Sequence, residues 1–248
     1  CNKDIIFYLN NMTWKLNNKF SYPKSMRSIY NGSRHYDVEG DKYPSATSIL
    51  GATKSQKDID ALNRWKKDIG YSVAAAVSKQ SSDRGTEMHS WIESILLFRA
   101  NGELLEETNL PKKMAETIIE NGINNKVSEV YGCETVLYYN GKYKFAGTAD
   151  AVINSSDNKI KILDFKQSNR PKQREYSVIS EYGMQLALYS IAHDNMFGTN
   201  IASTEILMCT PNLIFQKFEF KGKEFQSLKE QAMNRVEQYY MKKQSGSL

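Results

Sequence analysis

Cysteine and histidine are scarce in this chain of 248 residues, which has three of each. The cysteines, Cys1, Cys133 and Cys209, are too few and too widely spaced for a disulfide framework, and they cannot supply the four thiolates of an iron–sulfur cluster. No apolar run reaches 18 residues, so the sequence predicts no transmembrane helix and no membrane partner. These absences favour an intracellular protein in a reducing compartment.

The composition is that of an ordinary globular protein. Hydrophobic residues make up 40% and aromatic residues 11% of the chain, which excludes a wholly disordered polypeptide. The length suits one large domain with elaborations. Because the chain begins at Cys1 instead of Met, we expect a processed or truncated product in preference to a lipid-modified N-terminus.

Positive charge is concentrated at the start of the chain, whose net charge is +5. Residues 1–80 contain 13 Lys and Arg against 7 Asp and Glu, while the remaining 168 residues contain 20 against 21. This asymmetry fits an N-terminal lobe that holds a polyanionic substrate. Charge alone is equally consistent with a basic soluble surface.

Helical periodicity dominates the first half of the sequence. Residues 1–33 show no sustained period and are predicted to be loops or loosely docked segments, whereas Arg34 to Tyr43 alternates around Gly40-Asp41 as a small hairpin. The first three predicted helices run from Pro44 to Leu50 with a stop at Gly51, over residues 59–69 with a stop at Gly70, and over residues 71–79. A fourth helix is predicted to begin at a cap formed by Ser82 or Asp83. After a polar loop around Gly102, a fifth is predicted from Pro111 to about Gly132.

The second half has the texture of strands. Asn140-Gly141 predicts a type I′ hairpin between its first two strands. The predicted elements are strands over residues 134–139, 144–153 and 160–165, a helix over 182–196, strands over 201–209 and 213–220, and a closing helix over 225–243. This order predicts an α/β or α+β core with a central mixed β-sheet.

Four short patterns that follow one another suggest chemistry. They are Gly85-x3-His89, Gly147-x2-Asp150, Asp164-Phe165-Lys166 and Gln185-x3-Tyr189. Asp150 and Asp164 offer the hard oxygen ligands that magnesium or manganese requires. Lys166 would share a strand face with Asp164, where it can stabilise the charge that develops in phosphodiester hydrolysis. Each pattern alone has a simpler explanation, such as a surface salt bridge or a polar helix face, but together they predict a metal-dependent phosphodiesterase site.

Other residues are predicted to support this site. His89 can complete a metal shell as a neutral imidazole, or it can be a hydrogen-bonded residue at the edge of an apolar stripe. Gly147 suggests a β-bulge that aims Asp150 at the cleft. Gln185 can orient Lys166 or a water, and Tyr189 can stack at the phosphate path. Glu134 ranks below these candidates.

The ordered set resembles the RecB-type branch of the PD-(D/E)XK nuclease superfamily. Within that branch, Tyr43-Pro-Ser-Ala-Thr-Ser-Ile-Leu50, Arg64-Trp65-Lys66 and the helix of His89 are most similar to the mitochondrial genome maintenance exonuclease and related phage exonucleases. The similarity covers roughly residues 34–240. Gln167 departs from it, since relatives often have Thr there, and the cysteine cluster of the iron–sulfur members is absent, so no cluster is expected.

The resemblance implies a restriction-endonuclease-like core with an N-terminal helical lobe. Residues 1–33 would be an N-terminal extension, and residues 34–248 a single nuclease domain. Within that domain, residues 34–132 would form the DNA-holding helical lobe and residues 133–248 the catalytic core. A composition rich in Asn, Lys and Ile also resembles proteins of AT-rich phage or bacterial genomes, and a phage-encoded protein would act in the cytoplasm of its bacterial host.

The resemblance also implies roles for particular residues. It assigns catalysis to Asp150, Asp164, Lys166 and Gln185; binding of Mg²⁺ or Mn²⁺ to His89, Asp150, Asp164 and the carbonyl of Phe165; and contact with substrate to Tyr189, Arg64, Lys66 and Lys67. The implied activity is digestion of single-stranded DNA from free ends, in replication, recombination or repair. A structure-specific endonuclease and a non-catalytic single-strand-binding module are the alternatives. The sequence leaves the oligomeric state open.

Overall fold

The computed structural model describes residues 13–24, 26–30, 32–98 and 109–247. Within these segments the elements are, in chain order, β1 (Lys15–Leu16), β2 (Met26–Tyr30), β3 (Ser33–Val38), β4 (Asp41–Pro44), α1 (Ala46–Ala52), α2 (Gln56–Ile69), α3 (Tyr71–Leu96), α4 (Leu110–Ile118), a π-helical turn (Ile119–Ile123), β5 (Val127–Tyr139), β6 (Phe145–Ser155), β7 (Ile160–Gln167), α5 (Ser177–Phe197), β8 (Ser203–Cys209), β9 (Phe215–Lys221) and α6 (Gly222–Gln244).

A mixed sheet lies at the centre of the fold. Its described strands are arranged in the order β1-β5-β6-β7-β8-β9. The pairs β1/β5 and β7/β8 are parallel, and the other neighbours are antiparallel. Helices α1, α5 and α6 pack on one face, whereas α3 and α4 pack on the other. The predicted α/β fold, with a central mixed sheet flanked by helices as in restriction-endonuclease-like proteins, is confirmed.

Strand β7 shows how the sheet separates two cores. Successive side chains of a strand point to opposite faces. Ile162 accordingly packs in the cluster under α5 and α6, whereas Leu163 and Phe165 pack in the cluster under α3 and α4. Asp164 and Lys166 therefore share the face of Ile162.

A small antiparallel sheet, β2-β3-β4, packs beside β6. The predicted hairpin over residues 34–43 is confirmed, with its turn at Glu39 and Gly40, whose φ values are 51° and 88°. Residues 17–24 contain no helix or strand, but the prediction of loops or loosely docked segments is wrong for other parts of the described N-terminal region. There β1 pairs with β5 and β2 pairs with β3, and Trp14 is buried in the core under α3.

Helix α3 is longer than the sequence suggested. The predicted cap at Ser82 or Asp83 is wrong, because both residues lie inside one helix of 26 residues. Its apolar stripe around Met88 packs against the sheet as predicted, and this packing over the C-terminal half holds polar positions in helical conformation. The predicted loop around Gly102 lies outside the described residues.

The transition from helix to sheet comes earlier than predicted. The helix after Pro111 passes into the π-helical turn and ends at Ile123, so Val127 begins β5 instead of continuing a helix to Gly132. The β5–β6 hairpin is confirmed, since Tyr139 pairs with Phe145. Its turn is not type I′, however, because five residues separate the strands and Gly141 has no positive φ.

Helix α2 and the first part of α3 form a helical hairpin, residues 56–79, with little packing on the core. Gly70 ends α2 as predicted, with a φ of 88°. No residue of α2 is buried, and Ala74 is the buried residue of the α3 portion. The predicted apolar face of α2 is therefore exposed, although it has the predicted helical spacing. Its residues are Ile59, Leu62, Trp65 and Ile69.

Candidate active site

The candidate site lies where β6 and β7 separate. Their pairing runs from Asn154 opposite Ile160 to Ala151 opposite Leu163, and within these two strands it stops there. The next position on β6 is Asp150. Its Oδ2 atom accepts a hydrogen bond of 2.6 Å from the backbone N–H of Phe165. The carboxylate thus replaces the backbone acceptor that a continued strand pair would have offered.

Asp164 and Lys166 project together from β7. The Nζ atom of Lys166 lies 2.5 Å from Oδ2 of Asp164, and it also lies 4.9 Å from the ring centroid of Tyr182. The Oδ1 atom of Asp164 accepts a hydrogen bond of 3.2 Å from Nε2 of Gln185 on α5. Because the Asp164 side chain is only 2% exposed, the charge of its partner lysine offsets a substantial desolvation cost.

His89 reaches the same place from α3. Its Nε2 atom lies 2.7 Å from the carbonyl oxygen of Phe165, which can only accept, so Nε2 is the donor. The other ring nitrogen, Nδ1, lies 3.6 Å from Oδ2 of Asp150 and 4.0 Å from Oε1 of Glu134. A neutral imidazole in this tautomer directs the lone pair of Nδ1 towards two carboxylates.

Glu134, which ranked below the other candidates in the sequence, lies beside them in the structure. It lies on β5 between Cys133 and Thr135, which pair with Ala151 and Ala149, so it faces Asp150 across the strands. Its φ of 49° is rare for a residue with a side chain. The available signal was its position at the start of a β-rich segment, which says nothing about the partner strand.

His89, Glu134 and Asp150 form a group that can hold a metal ion. One ligand atom from each lies within 4.8 Å of the others. Two carboxylates and one imidazole suit a hard or borderline divalent cation. Asp164 and the carbonyl of Phe165, which were also predicted as ligands, contact Lys166 and His89 respectively in this structure.

The titration of these groups reflects their burial and their mutual contacts. Burial raises the pKa of Asp150 to about 6, although the positive charges of His89 and Lys166 oppose the shift. Burial by itself lowers the pKa of His89, but Asp150 and Glu134 outweigh it, so that the pKa is raised. Lys166 follows the same rule, since Asp164 and Asp150 raise its pKa against the effect of burial. A cation bound at this site would therefore stabilise the ionised form of its carboxylates.

Asp150→Asn should stabilise the metal-free protein above about pH 6. Because folding raises the pKa of this carboxyl from 3.8 to about 6, ionising it costs no folding free energy below pH 3.8 and the full amount above about pH 6. The full cost is on the order of 3 kcal/mol. Thermal unfolding in a chelator at pH 8 should show the Asn variant melting roughly 6–12 °C higher, with the difference lost at pH 4. A lower melting temperature for the variant at pH 8 would contradict this assignment.

Gln185 and Tyr189 lie one turn apart on α5. The amide Nε2 of Gln185 donates to Tyr189 Oη at 3.1 Å as well as to Asp164. Tyr189 is only 4% exposed, and its ring packs on Gly147, where a Cβ atom would come within 2.3 Å of Cε1. Its predicted contact with substrate does not fit this buried position. The bulge predicted at Gly147 is also wrong, because Gly147 pairs regularly with Leu137 and its missing side chain instead makes room for Tyr189.

The basic residues predicted to bind substrate lie on α2, away from the metal group. Arg64 and Lys67 are exposed and Lys66 is half-buried. In the segments that the structure describes, none of the three side chains pairs with a residue of the site.

An open cavity of about 610 Å³ adjoins the metal group. Helix α3 forms one wall of this cavity. Arg27 of β2 also lines the cavity, although it was not among the site residues predicted from the sequence. The lining residues are Arg27, Ser82, Gly85, Thr86, His89, Ser90, Glu93 and Glu134. Arg27 is exposed and brings a positive charge to a cavity that is otherwise lined by neutral and acidic side chains.

Comparison with protein families places the chain. Residues 104–243, more than half of the sequence, match the model of the PD-(D/E)XK nuclease superfamily. The chain belongs to this superfamily. The superfamily is named after a sequence motif. The (D/E)XK part of that motif, an acidic residue, any residue and a lysine, corresponds to Asp164, Phe165 and Lys166. In the PD part, Ala149 stands before Asp150 where the motif has proline. Membership in this superfamily supports a nuclease function for the chain. His89 lies outside the residues that match the family model.

Solved structures similar to the chain are distant. The protein SSO0001 is 16% identical with a TM-score of 0.38, and the match covers 76% of this chain and 73% of that one. A candidate exonuclease from Eubacterium rectale is 14% identical with a TM-score of 0.42, covering 63% and 67%. The exonuclease LHK-Exo, in complex with dAMP, is 12% identical with a TM-score of 0.41, covering 82% and 93%. A structure of this alkaline exonuclease from Laribacter hongkongensis is 13% identical with a TM-score of 0.33, covering 83% and 94%.

All these TM-scores lie below 0.5, so these similarities do not indicate which kind of nuclease the chain is. A search of curated proteins found no match. The particular similarity to the mitochondrial genome maintenance exonuclease stays a prediction. Among the described helices, none combines the length and the apolar character needed to cross a membrane.

Proposed function

We propose that this nuclease is a divalent-metal-dependent exonuclease that digests single-stranded DNA from free ends. The observation that supports the proposal best is the opening between β6 and β7, where the buried carboxylate of Asp164, the partly buried carboxylate of Asp150, a lysine and an imidazole meet. A phosphodiesterase needs this combination, because a cation and a positive side chain must act on one phosphate.

Mg²⁺ or Mn²⁺ would be held by His89, Glu134 and Asp150, with Asp164 and the carbonyl of Phe165 beside them. Oxygen-rich donor sets of this kind are typical of both cations. When bound, such a cation activates water and neutralises phosphate charge. The remaining contributions come from the chain itself.

Lys166 would supply the positive charge that stabilises the pentacoordinate phosphorus of the transition state. Its contact with Asp164 and the ring of Tyr182 fixes the ammonium group before substrate arrives. Gln185 holds Asp164 from the other side, so that the carboxylate keeps one orientation. Such preorganisation lowers the cost of arranging charges during the reaction.

Preference for a single strand would come from the helical hairpin of residues 56–79. Its exposed apolar side chains include Trp65 on α2 and Tyr71 at the start of α3, which is 69% exposed. Unpaired bases can stack on such side chains, whereas paired bases cannot. Arg64, Lys66 and Lys67 on the same helix, and Arg27 in the cavity, would contact phosphates.

Digestion of linear and circular single-stranded DNA tests the dependence on ends. With Mg²⁺, an end-labelled linear oligonucleotide should be degraded, and a covalently closed circle of the same sequence should stay intact. The circle is the matched control, because it offers the same phosphates without an end. Linearisation of the circle would indicate an endonuclease instead. Binding of both substrates without any product would indicate a non-catalytic single-strand-binding module.

A further inference from the structure

A set of polar contacts joins α3 to the loop that follows β7. The side-chain oxygen of Gln167 accepts hydrogen bonds from Arg84 Nε at 3.1 Å and Nη2 at 2.9 Å. Its Nε2 atom donates to the backbone carbonyl of Ser81 at 2.9 Å. Asn169 accepts from Arg84 and donates to Ser81 Oγ at 3.2 Å. We call Ser81, Arg84, Gln167 and Asn169 the α3–β7 clip.

The clip and His89 lie along one stripe of the helix. A Cβ atom at Gly85 would lie 3.4 Å from Cγ of Gln167, and His89, four residues later, contacts the carbonyl of Phe165 at 2.7 Å. Four helical residues rise about 6 Å, and two strand residues rise about 6.6 Å. The helix and the strand therefore stay in step between the clip and the metal group.

Apolar packing of α3 against the sheet begins only at Met88, immediately before His89. Of residues 71–87, only Ala74 is buried, and the apolar core begins at Met88. The clip lies one to two turns before His89, at the point where the exposed hairpin of residues 56–79 passes into the packed part of α3. A change in the angle of the helix at this point would move the imidazole of His89 relative to Asp150.

We propose that the α3–β7 clip positions His89 against Asp150 and the carbonyl of Phe165, and that Gln167 is its central residue. The inference rests on the proposed metal-dependent function. Gln167 is suited to this role because one amide group accepts from Arg84 and donates to Ser81 at the same time. It is a positioning residue, since it acts through His89 and does not itself line the metal group.

A double-mutant cycle on Mn²⁺ affinity tests the proposal. Calorimetry on the full chain would compare wild type, Gln167→Ala, His89→Ala and the double variant. Loss of Gln167 should weaken Mn²⁺ binding about tenfold when His89 is present, and less than about twofold when His89 is absent. Lys79→Ala is the control, because Lys79 is exposed on the same helix and pairs with Asp83 outside the clip. Equal losses in both backgrounds, or no loss, would overturn the proposal.

Hydrogen exchange in a chelator separates the clip from the metal site. Without metal, amides of residues 86–90 should exchange faster in Gln167→Ala than in wild type or Lys79→Ala. Unchanged exchange overturns the positioning role. If wild type binds no Mn²⁺, the proposed metal-dependent function fails, and with it the part of the inference that concerns metal affinity. The exchange result then decides independently whether the clip holds the helix.

Discussion

Lys166→Ala should reduce the rate of DNA cleavage by about two to three orders of magnitude. The side chain places an ammonium group 2.5 Å from the buried carboxylate of Asp164, in a site whose low exposure strengthens its field. Neither Gln185 nor Tyr182 can replace this charge. The measurement is the initial rate on an end-labelled single strand at saturating Mg²⁺.

The matched control is Lys159→Ala. Lys159 precedes the same strand and pairs with Asp157, but its side chain is 64% exposed. We expect its removal to leave the rate unchanged within a factor of about two, because exposed ion pairs contribute little. If Lys166→Ala cleaved at the rate of Lys159→Ala, Lys166 would have no part in the chemistry.

Asp150→Asn should weaken Mn²⁺ binding by at least about a hundredfold, and Glu134→Gln by about tenfold. Asp150 is the carboxylate that contacts both His89 and the backbone of Phe165, so it is central to the group. Glu134 joins it from a neighbouring strand at a greater distance from the imidazole. Both substitutions keep the size of the side chain and remove only its charge.

Calorimetric titration of the metal-free protein with Mn²⁺ measures these affinities. Glu175→Gln is the control for lost acidic charge, since Glu175 is exposed in the segment between β7 and α5. Its affinity should equal that of wild type. An unchanged affinity of Asp150→Asn would show that the metal is bound elsewhere or not at all.

The central strands could be predicted because their signals are local. Asn140-Gly141 marked the hairpin even though the turn type differed, and the apolar run from Ile160 marked β7, which continues through Asp164 to Gln167. The motif on β7 fixed the relation of Asp164 to Lys166, since residues two apart share a face of any strand. Local periodicity similarly predicted α2, whose apolar face has the expected spacing but faces solvent.

What could not be predicted depends on contacts between distant parts of the chain. Ser82 resembles a helix cap, but the packing of Met88 and its neighbours makes one continuous helix. The position of Glu134 follows from strand pairing with β6, and the burial of Tyr189 follows from the space above Gly147. Arg27 reaches the cavity from β2, the one described strand of the small sheet that was not predicted, because its pattern is too weak to stand out.

One cleavage assay tests the central claim that Asp150, Asp164 and Lys166 form a metal-dependent nuclease site. Wild type and Lys166→Ala would each be incubated with an end-labelled linear single strand, in Mg²⁺ and in a chelator. We expect shortening of the strand by wild type in Mg²⁺ and loss of that activity in the chelator and in the variant. Undiminished cleavage in the chelator, or by Lys166→Ala in Mg²⁺, would contradict it.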